Sequence, residues 1–222
     1  MNANLKPALL CPSLVCLVAV ILGLGCQTNS PRAGGIRIFD GRTFAGWEGD
    51  TNQTWRIENG ALVGGSLATM VPHNEFICTS RSYANFVLRL KFKLVGTAGF
   101  INGGVQVRSR RVSNPPFELS GYQADMGDPE WWGCLYDESR RNKVLAKSDI
   151  TEVNKVLKRN DWNDYVIRCE GKRIQIWLNG YPTVDYTEPD AAIEQAGIIG
   201  LQIHGGGKAE ASYKEITLEE LP

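Results

Sequence analysis

"NFVLRLKFKLV", residues Asn85–Val95, alternates apolar and charged side chains from Leu88 to Leu94. Phe86, Leu88, Leu90, Phe92 and Leu94 share one parity, and Arg89, Lys91 and Lys93 share the other. Successive side chains of a strand point to opposite faces, so this period reads as a strand with one face in a core and one in water. The same pattern extends in both directions. "TWRIENGALVGG" and "RIQIWLNGYPTVDY" each carry alternating segments around Asn59-Gly60 and Asn179-Gly180. Asn-Gly suits a tight hairpin turn, where both central residues take positive φ. "NDYVIRCEG", "GIIGLQIHG" and "ASYKEITLEEL" supply further strands, and no long segment has the helical period. "SDITEVNKVLKR" fits a helical turn or a loop. Short strands punctuated by turn signals predict one all-β domain, a sandwich of antiparallel sheets.

The chain has 222 residues and zero formal net charge. The length suits one ordinary core, and the charge balance argues against a nucleic-acid partner, which would call for a basic face. Residues 1–26 read as an export signal: the apolar run "LLCPSLVCLVAVILGL" is short for a membrane span and contains Pro12. Cys26 after Gly25 resembles a bacterial lipoprotein cleavage site, which would make Cys26 the lipidated residue and anchor the protein to a membrane of the cell envelope. A non-lipoprotein signal and an uncleaved anchor are the alternatives. Residues 27–35 read as a flexible tether, and the domain as residues 36–222. Cys78, Cys134 and Cys169 follow the leader; that odd number allows at most one bridge, and no CxxC pair marks a structural zinc site.

Several strands carry more than fold information. In "VQVRS", Gln106 and Arg108 oppose Val105 and Val107; in "LQIH", Gln202 and His204 oppose Leu201 and Ile203. Gln123 and Asp125 share a face in "YQAD", and Gln175, Trp177 and Asn179 share one in "IQIWLN". If these strands are neighbours, their second faces form one surface of amides, charges and aromatics suited to sugars; the alternative is an ordinary solvated face. In "GYQADMGDPEWWGCLYDESRR", Gly121–Asp125 reads as a floor strand and Asp128–Arg141 as a loop at its edge. Trp131, Trp132 and Tyr136 are candidates to stack on sugar rings, with Asp137, Glu138 and Arg140 as rim contacts. An aromatic cluster pinning that loop is the other reading.

Taken in series, "IFDGRTFAGWEGD", "WRIENGALVGG", "TSRSYANFVLRLKFKL", "NGGVQVRS", "NDWNDYVIRCEGKRIQIWLNG" and "GIIGLQIHGGGKAEASYKEITLEEL" closely resemble the 3-keto-disaccharide hydrolase family. The resemblance implies a concanavalin A-like jelly roll. The family's Asn-Ser-Gly is matched by Asn102-Gly103-Gly104, so the serine is lost; its strand glutamine and aspartate resemble Gln123 and Asp125, and its "LQ-x-H-G" is matched at Leu201–Gly205. It further implies a saccharide substrate already oxidised at C3 by a separate oxidoreductase. A C3 ketone acidifies the C2 hydrogen, so a base can start elimination of the anomeric group, and water addition completes hydrolysis. His204 is the base candidate, and Asp125 could instead be the base, orient the histidine or share a metal with it. Arg108 would stabilise the enolate. Asn102, Gln123, Gln202, Trp132, Tyr136, Glu138 and Trp177 are substrate-binding candidates. No cofactor is required; a divalent ion held by His204, Asp125 and Glu138 or Asp137 is the minority option, because no local ligand spacing marks one. The rival class is a non-catalytic carbohydrate-binding jelly roll. A retaining glucanase would need a Glu-x-Asp-x-x-Glu strand, which is absent.

Overall fold

The computed structural model describes Met1 and residues 34–222. The expectations for the leader, for Cys26 and for the tether up to residue 33 lie outside the described residues. The described chain forms two antiparallel sheets. One is eight-stranded, in the order β13 (Tyr181–Thr187), β12 (Arg173–Leu178), β11 (Asn163–Glu170), β6 (Phe86–Gly99), β15 (Gly207–Glu220), β4 (Ala61–Ser66) and β3 (Trp55–Glu58). Its eighth strand, β1 (Ile36–Arg37), pairs with the far half of β15 at Leu218 and Thr217. The other is seven-stranded: β10 (Lys143–Ala146), β9 (Leu135–Glu138), β8 (Leu119–Gly127), β7 (Asn102–Arg111), β14 (Ile198–Ile203), β5 (Glu75–Thr79) and β2 (Trp47–Glu48). This is the predicted jelly-roll sandwich. Both Asn-Gly hairpins form: Asn59 and Gly60 have φ of 50° and 77°, and Asn179 and Gly180 have 48° and 83°.

The core is the meeting of the two inward faces. Phe86, Leu88, Leu90, Phe92 and Leu94 of β6 join Val105, Val107, Tyr122, Ala124, Leu201 and Ile203 of the other sheet in one buried cluster. Each fully buried side chain of this kind contributes about 1.5–3 kcal/mol. Two buried tyrosines cross the core to the seven-stranded sheet. The Tyr165 hydroxyl donates to the Asp125 carbonyl at 2.8 Å, and the Tyr213 hydroxyl lies 2.6 Å from the Gln202 carbonyl. The eight-stranded sheet therefore fixes the backbone of the strands that carry the candidate residues.

The ambiguous segment resolves into a short helix, α1 (Ile150–Val156), capped by the Asp149 side chain, which accepts from the Thr151 and Glu152 N–H groups. Among the described residues no helix is long and apolar enough to cross a membrane. Cys78, Cys134 and Cys169 are buried and unbridged.

Two expectations need correction. Trp177 lies on β12, in the eight-stranded sheet, and is buried. Alternation assigns a residue to a face but not a strand to a sheet, so "IQIWLN" does not join the other polar strands. The stretch Asp128–Arg141 is not all loop, because Leu135–Glu138 forms β9 and pairs with β8. Its inward positions are Leu135 and Asp137, and the buried aspartate hides the alternation. Asp137 is tolerated there because Arg140 and Arg141 both pair with it, so it is no rim contact.

Candidate functional site

β8, β7 and β14 are neighbours, as the polar-face reading requires. Gly104 sits between Asp125 and Gln202, and Gln106 sits between Gln123 and Gly200. With Val105, Val107, Tyr122 and Ala124 in the core, these residues occupy the outward face of the sheet. At one end of that face lies a cavity of about 190 Å³ lined by Phe100, Asn102, Gln123, Asp125, Trp131, Tyr136, Glu138 and His204.

His204 follows β14, and its backbone N–H is held by the Asn102 carbonyl at 3.1 Å. Its Nδ1 is 2.7 Å from the Gly205 carbonyl oxygen. A carbonyl only accepts, so Nδ1 carries the hydrogen and, in the neutral ring, Nε2 holds the lone pair. Phe100 meets the imidazole edge to face at 4.7 Å between centroids.

Asp125 is buried, and its donors converge on one oxygen. Asn102 Nδ2 and Met126 N each reach Oδ1 at 3.1 Å, and Gln123 Nε2 reaches it at 3.4 Å. Burial nevertheless pushes the carboxyl up to about 8, with the Glu138 charge adding to the rise. At neutral pH the group is mostly a carboxylic acid, with its proton on Oδ2. Glu138 is also raised, to about 7, first by burial and then by the negative charge of Glu118. Gln202 Nε2 donates to Glu138 Oε2 at 3.4 Å.

A glycine makes room for the amide pair. Gln123 leans across Gly104 to donate to Gln202 Oε1 at 3.0 Å. A Cβ at residue 104 would sit 2.6 Å from Gln123 Cγ and Cδ. Gly104→Ala is therefore expected to push Gln123 off Gln202, costing about 1–3 kcal/mol in thermal denaturation and raising KM or Kd for a saccharide. The lost serine of the family pattern falls at Gly103, whose parity is that of Val105 and whose Cβ would approach the Gln202 carbonyl, Met126 and the Tyr213 hydroxyl. That position faces the core, so its change does not touch the cavity.

His204, Asp125, Asn102, Gln123, Tyr136 and Glu138 thus come together, with Gln202 bonded to two of them. Arg108 does not. It sits at a bulge, where the β7–β8 register shifts after Val107, and has a φ of 50°. A bulge breaks the period of two. The Arg108 guanidinium donates instead to the carbonyls of Ala84 and Gly171 and to Gln195 and Asn85, clamping those loops. Trp132 is also elsewhere: it is buried, stacks with Phe92, and donates from Nε1 to Asp128 at 2.9 Å. Its neighbour Trp131 lines the cavity and meets Tyr136 edge to face at 5.9 Å. Phe100 was not foreseen, and it lies in a turn where no alternation applies. Among the described residues no group of three or more His, Cys, Asp or Glu side chains is placed to hold a metal. Asp137, an alternative ligand of the minority set, is held by Arg140 and Arg141.

Residues 34–219 match the model of the 3-keto-alpha-glucoside-1,2-lyase-like domain. The chain belongs to this family. The chain also resembles solved structures in fold. One is a provisionally assigned glycosyl hydrolase from Parabacteroides distasonis, 19% identical, with a TM-score of 0.63 over 85% of this chain and 94% of that one. Another is the carbohydrate-binding module CBM66 from Bacillus subtilis, 19% identical, with a TM-score of 0.61 over 79% and 96%. A third is the Bacillus licheniformis beta-glucanase, 10% identical, with a TM-score of 0.54 over 86% and 100%. No match is found among curated proteins.

Proposed function

We propose that the protein cleaves 3-keto-glycosides by elimination across C1 and C2, followed by hydration. His204 Nε2 takes the C2 proton. The C–H electron pair forms C2=C3, and the C3 oxygen takes the proton of Asp125 Oδ2. The enol proton then returns to Asp125 as C3=O re-forms. C1=C2 forms, the C1–O bond breaks, and the leaving oxygen takes a proton from Glu138. Water next adds at C1, giving a proton back to Glu138, while C2 recovers one from the His204 imidazolium. The net change is hydrolysis. Asn102 and Gln123 hold hydroxyls, Gln202 positions Gln123 and Glu138 from behind, and Trp131, Tyr136 and Phe100 cover the apolar ring faces. An oxidoreductase acting at C3 must supply the substrate, and export to the cell envelope through Cys26 remains part of this reading.

The observation that carries the proposal is one cavity lined both by an imidazole whose Nδ1 is turned to the Gly205 carbonyl, leaving Nε2 as the acceptor, and by the buried Asp125 carboxyl, which burial pushes up to about 8. A neutral acid of that kind can stabilise a developing enolate. Both Asp125 and Glu138 act in their protonated forms, and their values are about 8 and about 7, so turnover should fall as pH rises through this window. A 3-keto-glucoside bearing deuterium at C2 tests the chemistry. Several-fold slower turnover than with the protiated substrate, unchanged by chelator, is expected. Equal rates for the two substrates would rule out removal of the C2 proton as the slow step. Sugar binding with no turnover would mark a carbohydrate-binding module, the second reading, which the fold likeness to CBM66 favours.

A further inference from the structure

We infer that Glu118 and Asn74 form a strap between the His204 and Glu138 sides of the cavity, and that both are positioning residues for the proposed chemistry. The inference rests on the elimination reading for its catalytic meaning and on four linked hydrogen bonds for its geometry. Ser139, next to Glu138, donates from its hydroxyl to Glu118 Oε2 at 2.8 Å. Asn74 Nδ2 donates to Glu118 Oε1 at 3.1 Å. Asn74 Oδ1 accepts the Gly205 N–H at 3.1 Å. The Gly205 carbonyl in turn accepts from His204 Nδ1 at 2.7 Å. Gly205, whose carbonyl fixes the His204 tautomer, is thus tied by its N–H through Asn74 and Glu118 to the end of β9.

The neighbouring residues lock the same contact. His73 stacks on Phe117 at 3.8 Å between centroids and 13° between planes, so the residue before Asn74 packs on the residue before Glu118. The His73 backbone also lies against Gly205, where a Cβ would come within 2.5 Å of His73 Cα. That close approach lets the short Asn74 side chain reach the Gly205 N–H.

The strap has an electrostatic side. Several groups face Glu138: Glu118 from the strap, Gln202 from β14, Asp125 from β8, and Asp137, Tyr136 and the Ser139 N–H from its own segment. After burial, Glu118 is the largest influence raising Glu138. A like charge favours the protonated form, which the leaving oxygen needs.

The test uses the whole protein, with NMR of its histidine nitrogens and glutamate carboxyl carbons beside kinetics on a 3-keto-glucoside. Glu118→Gln keeps both hydrogen bonds, since the amide oxygen accepts from Asn74 and a hydroxyl can accept from the amide nitrogen, but it removes the charge. The Glu138 midpoint should drop by about one pH unit, and the alkaline limb of kcat should move with it at unchanged KM. Asn74→Ala should turn the single Nδ1–H tautomer of His204 into a mixture and lower kcat about tenfold, as expected for one lost hydrogen bond. The near-isosteric Glu118→Gln protein keeps the inference testable should Asn74→Ala fold poorly. A wild-type Glu138 midpoint in the first variant, or a wild-type tautomer in the second, overturns it. Both NMR readouts need no substrate, so they stand even if the protein fails to cleave 3-keto-glycosides.

Discussion

Replacing His204 with alanine is expected to lower kcat on a 3-keto-glycoside by about 10²–10⁴-fold, the usual worth of a positioned general base. The fold should survive. The ring is only part-buried, and its contacts are the Phe100 edge and the Gly205 carbonyl. Its backbone hydrogen bond to Asn102 does not depend on the side chain. Thermal denaturation should therefore stay near wild type while turnover collapses. The measurement also separates the two functional classes. A sugar-binding module holds its ligand through amides and aromatic faces, so its affinity would hardly notice the loss. Retained turnover by the alanine variant would remove His204 from the mechanism and leave Asp125 or Glu138 as the base.

The second large effect concerns stability. Arg141 pairs with two buried carboxylates, Asp137 and Glu188. Glu188 also accepts from the Tyr122 and Tyr186 hydroxyls and from the Asp190 N–H. Burial alone would raise Glu188, but the Arg141 guanidinium, the Asp190 N–H and the Tyr122 hydroxyl outweigh it and hold the carboxyl at about 2. Arg141→Met keeps the stem and removes the charge, leaving Glu188 buried without its cation. The cost should be about 3–5 kcal/mol, or a Tm lower by roughly 6–20 °C for a domain of this size. The folded value of Glu188 lies below its unfolded one, so its stabilising contribution is complete above the ordinary glutamate range and is lost as pH falls toward about 2. The gap between wild type and Arg141→Met should therefore narrow as pH falls through that interval. A gap that stays constant from neutral pH to pH 2 would show that Arg141 acts through packing alone.

Legibility in the sequence followed physical lines. The alternation in Asn85–Val95 and the two Asn-Gly turns are local rules, and both were obeyed. The outward placement of Gln123, Asp125 and Gln202 followed from the same period of two, strengthened by the family pattern. The misplaced residues sit where a local rule stops. Arg108 lies at a bulge, and Trp177 lies on a strand whose sheet alternation cannot reveal. Trp131 and Trp132 are adjacent in sequence, and only packing decides that one lines the cavity and the other meets Phe92. Glu118 and Asn74 are 44 residues apart and carry no motif, so their contact is a product of tertiary structure alone.

The first strand has a consequence for orientation. β1 joins the eight-stranded sheet beside β15, whereas the cavity opens on the outward face of the seven-stranded sheet. Packed sheets stand about 10 Å apart, so the chain enters the domain on the side away from the cavity mouth. A support reached over a short, rigid link at that end would leave the mouth turned toward open solution. A saccharide could then enter the cavity without meeting such a support.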